Sequence, residues 1–197
     1  MNKTLMIIGS VIALMLLITV SSYNGIIASD ELTKREWGNL QSTLQRRLDL
    51  IPNLVQTVKG YTNYEAETLQ KIVEARSQAT SMKIDSSMLN DPKALEKYMQ
   101  IQNQLSAGLS RLIAISESYP DLKASDTYRD LMSQLEGTEN RINVARQNYN
   151  GAVNQFNYTI RKFPASIVNS MFLHLTVKNF FTADAEAEKV VKVDFSK

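Results

Sequence analysis

Few residues in this chain are suited to chemistry, and they are widely spaced. There is one histidine, His174, and there is no cysteine. A zinc site needs several nitrogen or sulfur donors, and a triad needs a base held by a third group. His174, between Leu173 and Leu175, therefore reads as a surface or satisfied core histidine. Disulfides and thiolate nucleophiles are excluded. Glu139, Arg141 and Arg146 bring both signs of charge to one stretch, but at helical spacing they read as surface ion pairs worth only tenths of a kcal/mol. The run Arg47-Leu48-Asp49-Leu50-Ile51-Pro52-Asn53-Leu54-Val55 reads either as a binding loop or as a kinked helix. The kinked helix is favoured. Its Leu48, Ile51 and Val55 bury, Arg46, Arg47 and Asp49 stay wet, and an interior proline costs roughly 3 kcal/mol unless something structural requires it. No constellation suggests a catalytic, metal or cofactor site, so the chain is expected not to be an enzyme and to need no cofactor. Lys+Arg number 22 against 20 Asp+Glu, a net charge of +2, which gives no support for a nucleic-acid partner.

The elements that would position such residues are helices. Only 4 prolines and 7 glycines occur in 197 residues, which argues against a turn-rich β fold and against disorder. From Thr4 to Ser29 there is no charged residue. As a helix that stretch exceeds the roughly 30 Å of a bilayer's hydrocarbon. The residues expected to anchor it in lipid are Leu5, Ile7, Ile8, Val11, Ile12, Leu14, Leu16, Leu17, Ile18 and Val20, with Tyr23 at interfacial depth. A signal peptide cleaved near Val20-Ser21-Ser22 is the competing reading, and after cleavage the remainder would be a soluble binding module. Length favours an uncleaved anchor that keeps Met1–Ser22, with membrane lipid as its partner. Lys3 weakly places the N-terminus inside and the bulk outside. The expected organisation is an anchor over 1–29, a helical bundle over 30–181, and a tail over 182–197 in which Val191–Phe195 alternates like a short strand.

Within 30–178 the prolines act as punctuation. Asp91-Pro92 reads as an N-cap followed by proline at the first helical position. Tyr119-Pro120-Asp121 reads as a stop, Ser125 or Asp126 as the next cap, and Phe163-Pro164 as the end of that helix, with Ser166 capping a last short one. Breaks are expected near Ser86–Asp91 and Pro120–Ala124. Leu95, Tyr98, Gln102, Leu105, Leu109, Leu112, Ser116 and Tyr119 step by three and four, and the frame recurs from Tyr128 through Leu135, Ile142, Tyr149 and Phe156 to Phe163. That is the seam of a coiled-coil-like bundle. An antiparallel hairpin of the first two soluble helices predicts a close pair, Glu65 and Arg111. The same register leaves Trp37, Leu40, Leu44 and Leu48 uncovered by the second soluble helix. A long exposed apolar stripe is unusual on a monomer. The stripe is therefore expected to mediate self-association, with burial under a later helix as the alternative.

Tyr23-Asn24, Trp37, the Arg47–Val55 run, Val58-Lys59-Gly60-Tyr61, Glu65, Ala75-Arg76-Ser77, Glu117–Ala124, Thr138–Ile142, Ala145-Arg146, Tyr149-Asn150, Asn157 and Phe163-Pro164 follow one another in a recognisable order and spacing. In these residues the sequence resembles the bacterial LemA family. The resemblance implies a single-pass protein of the bacterial inner membrane with an up-and-down bundle of about four helices. It implies no agreed activity, although genes of the family often lie near those of a membrane metalloprotease. The sequence thus supports an all-α, membrane-anchored scaffold or interaction protein that forms homo-oligomers. The alternative is an accessory subunit of a membrane enzyme, with a membrane protein as partner.

Overall fold

The computed structural model describes residues 3–61 and 65–182. All regular structure among them is helical: α1 (Lys3–Lys59), α2 (Ala66–Ser81), α3 (Pro92–Ser116), α4 (Pro120–Ala124), α5 (Asp126–Arg161) and α6 (Ala165–Val168), with a 3-10 turn at Ser86–Asn90 and a π turn at Asn169–Leu173. The alternating tail at Val191–Phe195 lies outside the described residues. Two compact units form. One gathers the described residues of Met1–Leu40 and Val144–Phe180, the other those of Gln41–Asn143 and Phe181–Lys197.

In the first unit α1 begins uncovered. Leu5, Ile7, Ile8, Val11, Ile12, Leu14, Leu16, Leu17, Ile18 and Val20 are all exposed, and this part of α1 is long and apolar enough to cross a membrane. Burial begins at Ile26, ahead of the expected bundle start at 30. Ile26 packs with Phe156, Ile160, Ala165 and Val168. Further along, Thr33 Oγ1 donates to the Ala152 carbonyl at 3.2 Å, and the Trp37 and Tyr149 rings meet at 5.4 Å. Phe163-Pro164 is a cis peptide, and α6 follows it with Ser166 inside the helix rather than at its cap. The π turn ends on His174, an exposed residue in the left-handed region (φ 52°). From there the chain returns along α5.

The second unit is an up-and-down arrangement of α1 from Gln41, α2, α3 and the first half of α5, with α4 as a short connector. Asp91 caps α3, accepting from Lys93 N and Ala94 N at 3.1 Å, and Pro92 stands at the first position. Ser125 Oγ accepts from Tyr128 N at 3.4 Å at the start of α5. Asp85 starts the 3-10 turn; its carboxyl falls to about 2 because it accepts from the Ser87 hydroxyl and backbone N–H, with Lys83 beside it.

Two expectations are corrected here. The first soluble helix does not run on to the 80s. It ends at Lys59-Gly60, and α2 comes back along it, so that Arg76 reaches Leu48. That reversal makes α3 run parallel to α1 and antiparallel to α2. Gly108 then faces Ile72, so closely that an added Cβ would stand 2.9 Å from Ile72 Cγ1. The second correction concerns the stripe. Trp37, Leu40, Leu44 and Leu48 are 0–1% exposed within one copy of the chain. In the first unit the Trp37 ring packs at a tilt against Tyr149 of α5. In the second, Arg47 is bonded to α3 and α5, and the Leu48 carbonyl to α2. The stripe is the protein's own core and leaves nothing for another copy to cover.

Candidate functional site: the Arg47 network and the groove beside it

Arg47, expected to stay wet, is the second largest fully buried side chain, at 2% exposure. Helical periodicity put it beside a buried row, and only partners from other helices make its burial tolerable. Nη1 donates to Ser106 Oγ at 2.8 Å and to the Glu139 carboxylate at 3.0 and 3.3 Å. Nη2 donates to the Gln102 side-chain oxygen, and at 3.5 Å to its backbone carbonyl. Glu139, read from its spacing as one of a set of surface ion pairs, thus serves a buried cation. Its side chain is 36% exposed, so one end of the pair meets solvent. Tyr98 lies nearby, fully buried. Burial pushes its phenol up to about 12, while the Arg47 charge and Gln102 pull the other way. Arg47 Nε, Gln102 Nε2 and Tyr98 OH have no hydrogen-bond partner, so this knot of polar atoms is incompletely satisfied. It holds a fixed charge and an acid that is already paired. No nucleophile sits beside a base, and its chemistry is that of a structural clamp across three helices.

The proline run has a related explanation. α1 passes through Pro52 without ending. Proline has no N–H to give the carbonyl four residues back, which is Leu48's. Arg76 Nε of α2 donates to that oxygen at 2.8 Å. The proline opens an acceptor and the arginine closes it, which ties α2 to α1. We expect Arg76→Ala to cost about 1–3 kcal/mol, the penalty of an orphaned buried carbonyl. In a Pro52→Ala background the helix supplies its own N–H, and most of that cost should vanish. Chemical unfolding of the four variants reads this as a coupling of at least ~1 kcal/mol; additive losses would show that the two residues act separately.

In the first unit a second buried pair joins Lys178 to Asp30, with Lys34 on the other Asp30 oxygen at 2.8 Å. The Lys178 ammonium also lies 4.5 Å from the Phe156 ring centroid. Asn157 clamps the backbone of Lys178 in both directions, donating at 2.9 Å and accepting at 2.8 Å. Tyr149 OH donates to the Asn179 carbonyl at 2.9 Å, and burial raises its phenol strongly. Burial is the largest influence on Asp30 and opposes its ionisation. The Lys178 and Lys34 ammoniums together outweigh it and hold the carboxyl below its usual value. A depressed carboxyl contributes stability above its unfolded pKa and loses it as pH falls through the folded one. Lys178→Ala should therefore cost about 3 kcal/mol at neutral pH. The gap to the parent protein should shrink as pH falls through the usual carboxylate range and below it, because the acid protonates first in the variant and only lower in the parent, where Lys178 still holds it down. A gap independent of pH across that range would assign the loss to packing alone.

The anticipated Glu65–Arg111 pair is not among the ion pairs of the described residues. Glu67 is bonded to Lys71 instead, which is the main cause of its lowered carboxyl, and Arg111 adds only a smaller pull. Among the described residues no three histidine, aspartate or glutamate side chains converge on a metal-sized site.

The face of α3 and α5 beside the Arg47 network is open. A cavity of about 210 Å³ includes Ser106 and Glu139 in its wall. It shares Ile113, Met132 and Glu136 with a second one of about 750 Å³ that reaches the Glu117–Lys123 ion pair. The result is a groove with an apolar floor and charges of both signs at its rim. Sequence reading missed it because its floor residues sit just off the buried seam.

The sequence model of the LemA family matches residues 36–195. Curated relatives at 28% identity include a LemA protein and magnetosome proteins. Magnetosome protein MamQ 2 of Paramagnetospirillum magneticum aligns over 72% of this chain and 58% of its own length. Magnetosome protein MamQ of Magnetospirillum gryphiswaldense aligns over 81% and 65%, and Protein LemA of Metamycoplasma hominis over 63% and 52%. The chain thus spans less than two thirds of the length of each.

Proposed function

Because the chain belongs to the LemA family, we propose that it is a membrane-anchored helical interaction protein, a scaffold that works by assembling with copies of itself rather than by catalysis. The observation that carries this reading is α1. It is one helix, apolar and uncovered over its first two dozen residues, then buried as the spine of packed helices from Ile26 onward. Such a helix fixes the bundle at a bilayer surface and confines all copies to one plane, which raises their local concentration. The anchor keeps Met1–Ser22, crosses the bacterial inner membrane once, and holds the bundle on the exocytoplasmic side, in keeping with Lys3 at the short end. The contact between copies does not use Trp37–Leu48. The α3–α5 groove, with Ile113 and Met132 accessible and both charges at its rim, is the surface we assign to it.

Intact-mass measurement on the membrane fraction, followed by sizing in detergent, tests the reading. The expected result is a chain that includes Met1–Ser22 and runs as an oligomer. Met132→Glu should dissociate it with helicity unchanged. A monomeric parent protein that co-purifies with a membrane enzyme after crosslinking would favour the accessory-subunit alternative.

A further inference from the structure

The end of the first unit nearest the uncovered part of α1 carries apolar side chains that none of the described residues covers. Phe163 is 79% exposed, and Ile167, Met171 and Phe172 are exposed with it, while Ala165 and Val168 of the same segment pack on Ile26. The segment is held from behind, and its open side is the more apolar one. Its height along α1 is fixed. Lys162, Pro164 and Ala165 share a cavity with Ser21, Ser22 and Gly25. Counting about 1.5 Å per residue from Thr4, roughly 30 Å of hydrocarbon ends near Tyr23. The exposed patch therefore sits at the level where α1 leaves the lipid. Two cations flank it: exposed Arg161, whose Nε is held by the Asn157 carbonyl at 2.8 Å, and exposed Lys162, 5.3 Å from the Tyr158 ring centroid.

Resting on the reading of α1 as a membrane span, we propose that Phe163–Phe172 is a second, in-plane membrane contact. Phe163, Ile167, Met171 and Phe172 enter the acyl-chain boundary of the leaflet that α1 crosses, and Arg161 and Lys162 meet its anionic headgroups. The composition is that of an interfacial element, with aromatic and long apolar side chains on one face and basic residues at its edge. A span alone leaves a bundle free to tilt and rotate over the surface. A second contact beside the exit point fixes which face of the first unit meets the membrane.

The chain has no cysteine, so single nitroxide labels can be placed cleanly on the full-length protein. Labels at Phe163→Cys, Ile167→Cys and Phe172→Cys are compared in phosphatidylglycerol-containing vesicles with Ile12→Cys as the lipid reference and Val144→Cys, exposed on α5, as the aqueous one. The expected result is oxygen accessibility above that of a water-soluble nickel chelate at the three test sites, as at Ile12, and the reverse at Val144. Replacing Arg161 and Lys162 with Gln should move the three labels toward water. If the three labels match Val144 while Ile12 stays in lipid, the in-plane contact is wrong and the anchor stands. If Ile12 is also in water, the anchor reading fails and takes this one with it. Shielding of the three sites from both reagents would mean that protein covers the patch, which also overturns the proposal.

Discussion

Replacing Arg47 with alanine is expected to cost the second unit about 3–5 kcal/mol. Removing one partner of a buried ion pair strands the other and the groups around it. Here the guanidinium serves Glu139, Ser106 and Gln102 at once, and its removal also empties the volume of a long side chain between three helices. Arg47→Lys keeps the charge but offers a single ammonium in place of a planar fork, so it should recover less than half of the loss. Glu139→Gln should cost less than Arg47→Ala, because its carboxylate is partly hydrated already while the cation is not. Urea unfolding followed by far-ultraviolet circular dichroism reads all three. A loss below about 1 kcal/mol for Arg47→Ala would mean that the network is incidental to folding.

A larger effect is expected from Leu40→Glu combined with Leu44→Glu. Both leucines are completely buried, each in the core of its own unit. Each substitution forfeits about 1.5–3 kcal/mol of apolar burial and adds a carboxylate that must be desolvated or must open the structure to water. Together they approach the 5–15 kcal/mol that a whole domain commonly has. The double variant should lose its cooperative helical signal and run as an unfolded monomer. A variant that stays helical and merely falls from oligomer to monomer would restore the stripe as a seam between copies, against the burial seen here.

Much of this architecture is local, and the sequence alone determined that part. A cap such as Asp91 before Pro92 satisfies N–H groups two and three residues ahead, and the apolar steps from Leu95 to Leu112 repeat within one turn of each other. Such signals need no knowledge of the rest of the chain. The uncharged run after Lys3 is equally self-contained, and so is the family pattern. The tertiary structure decided what depends on a distant partner. Arg47 looks like a solvated charge until Glu139 and Gln102 arrive from other helices. Arg76 is one residue of the family pattern until the carbonyl freed by Pro52 is found opposite it. Asn157 matches the family pattern, but its task, clamping Lys178, becomes visible only when the chain has turned back along α5. The early end of α1 at Gly60 changed the most. A helix boundary is a small local preference, yet moving it reversed α2, shifted the register with α3, and helped turn an apparent exposed stripe into the core. The helices were legible because each is stabilised largely by its own neighbours in sequence. Their partners were not, because burial of a long cationic side chain is favourable only once the partners are in place.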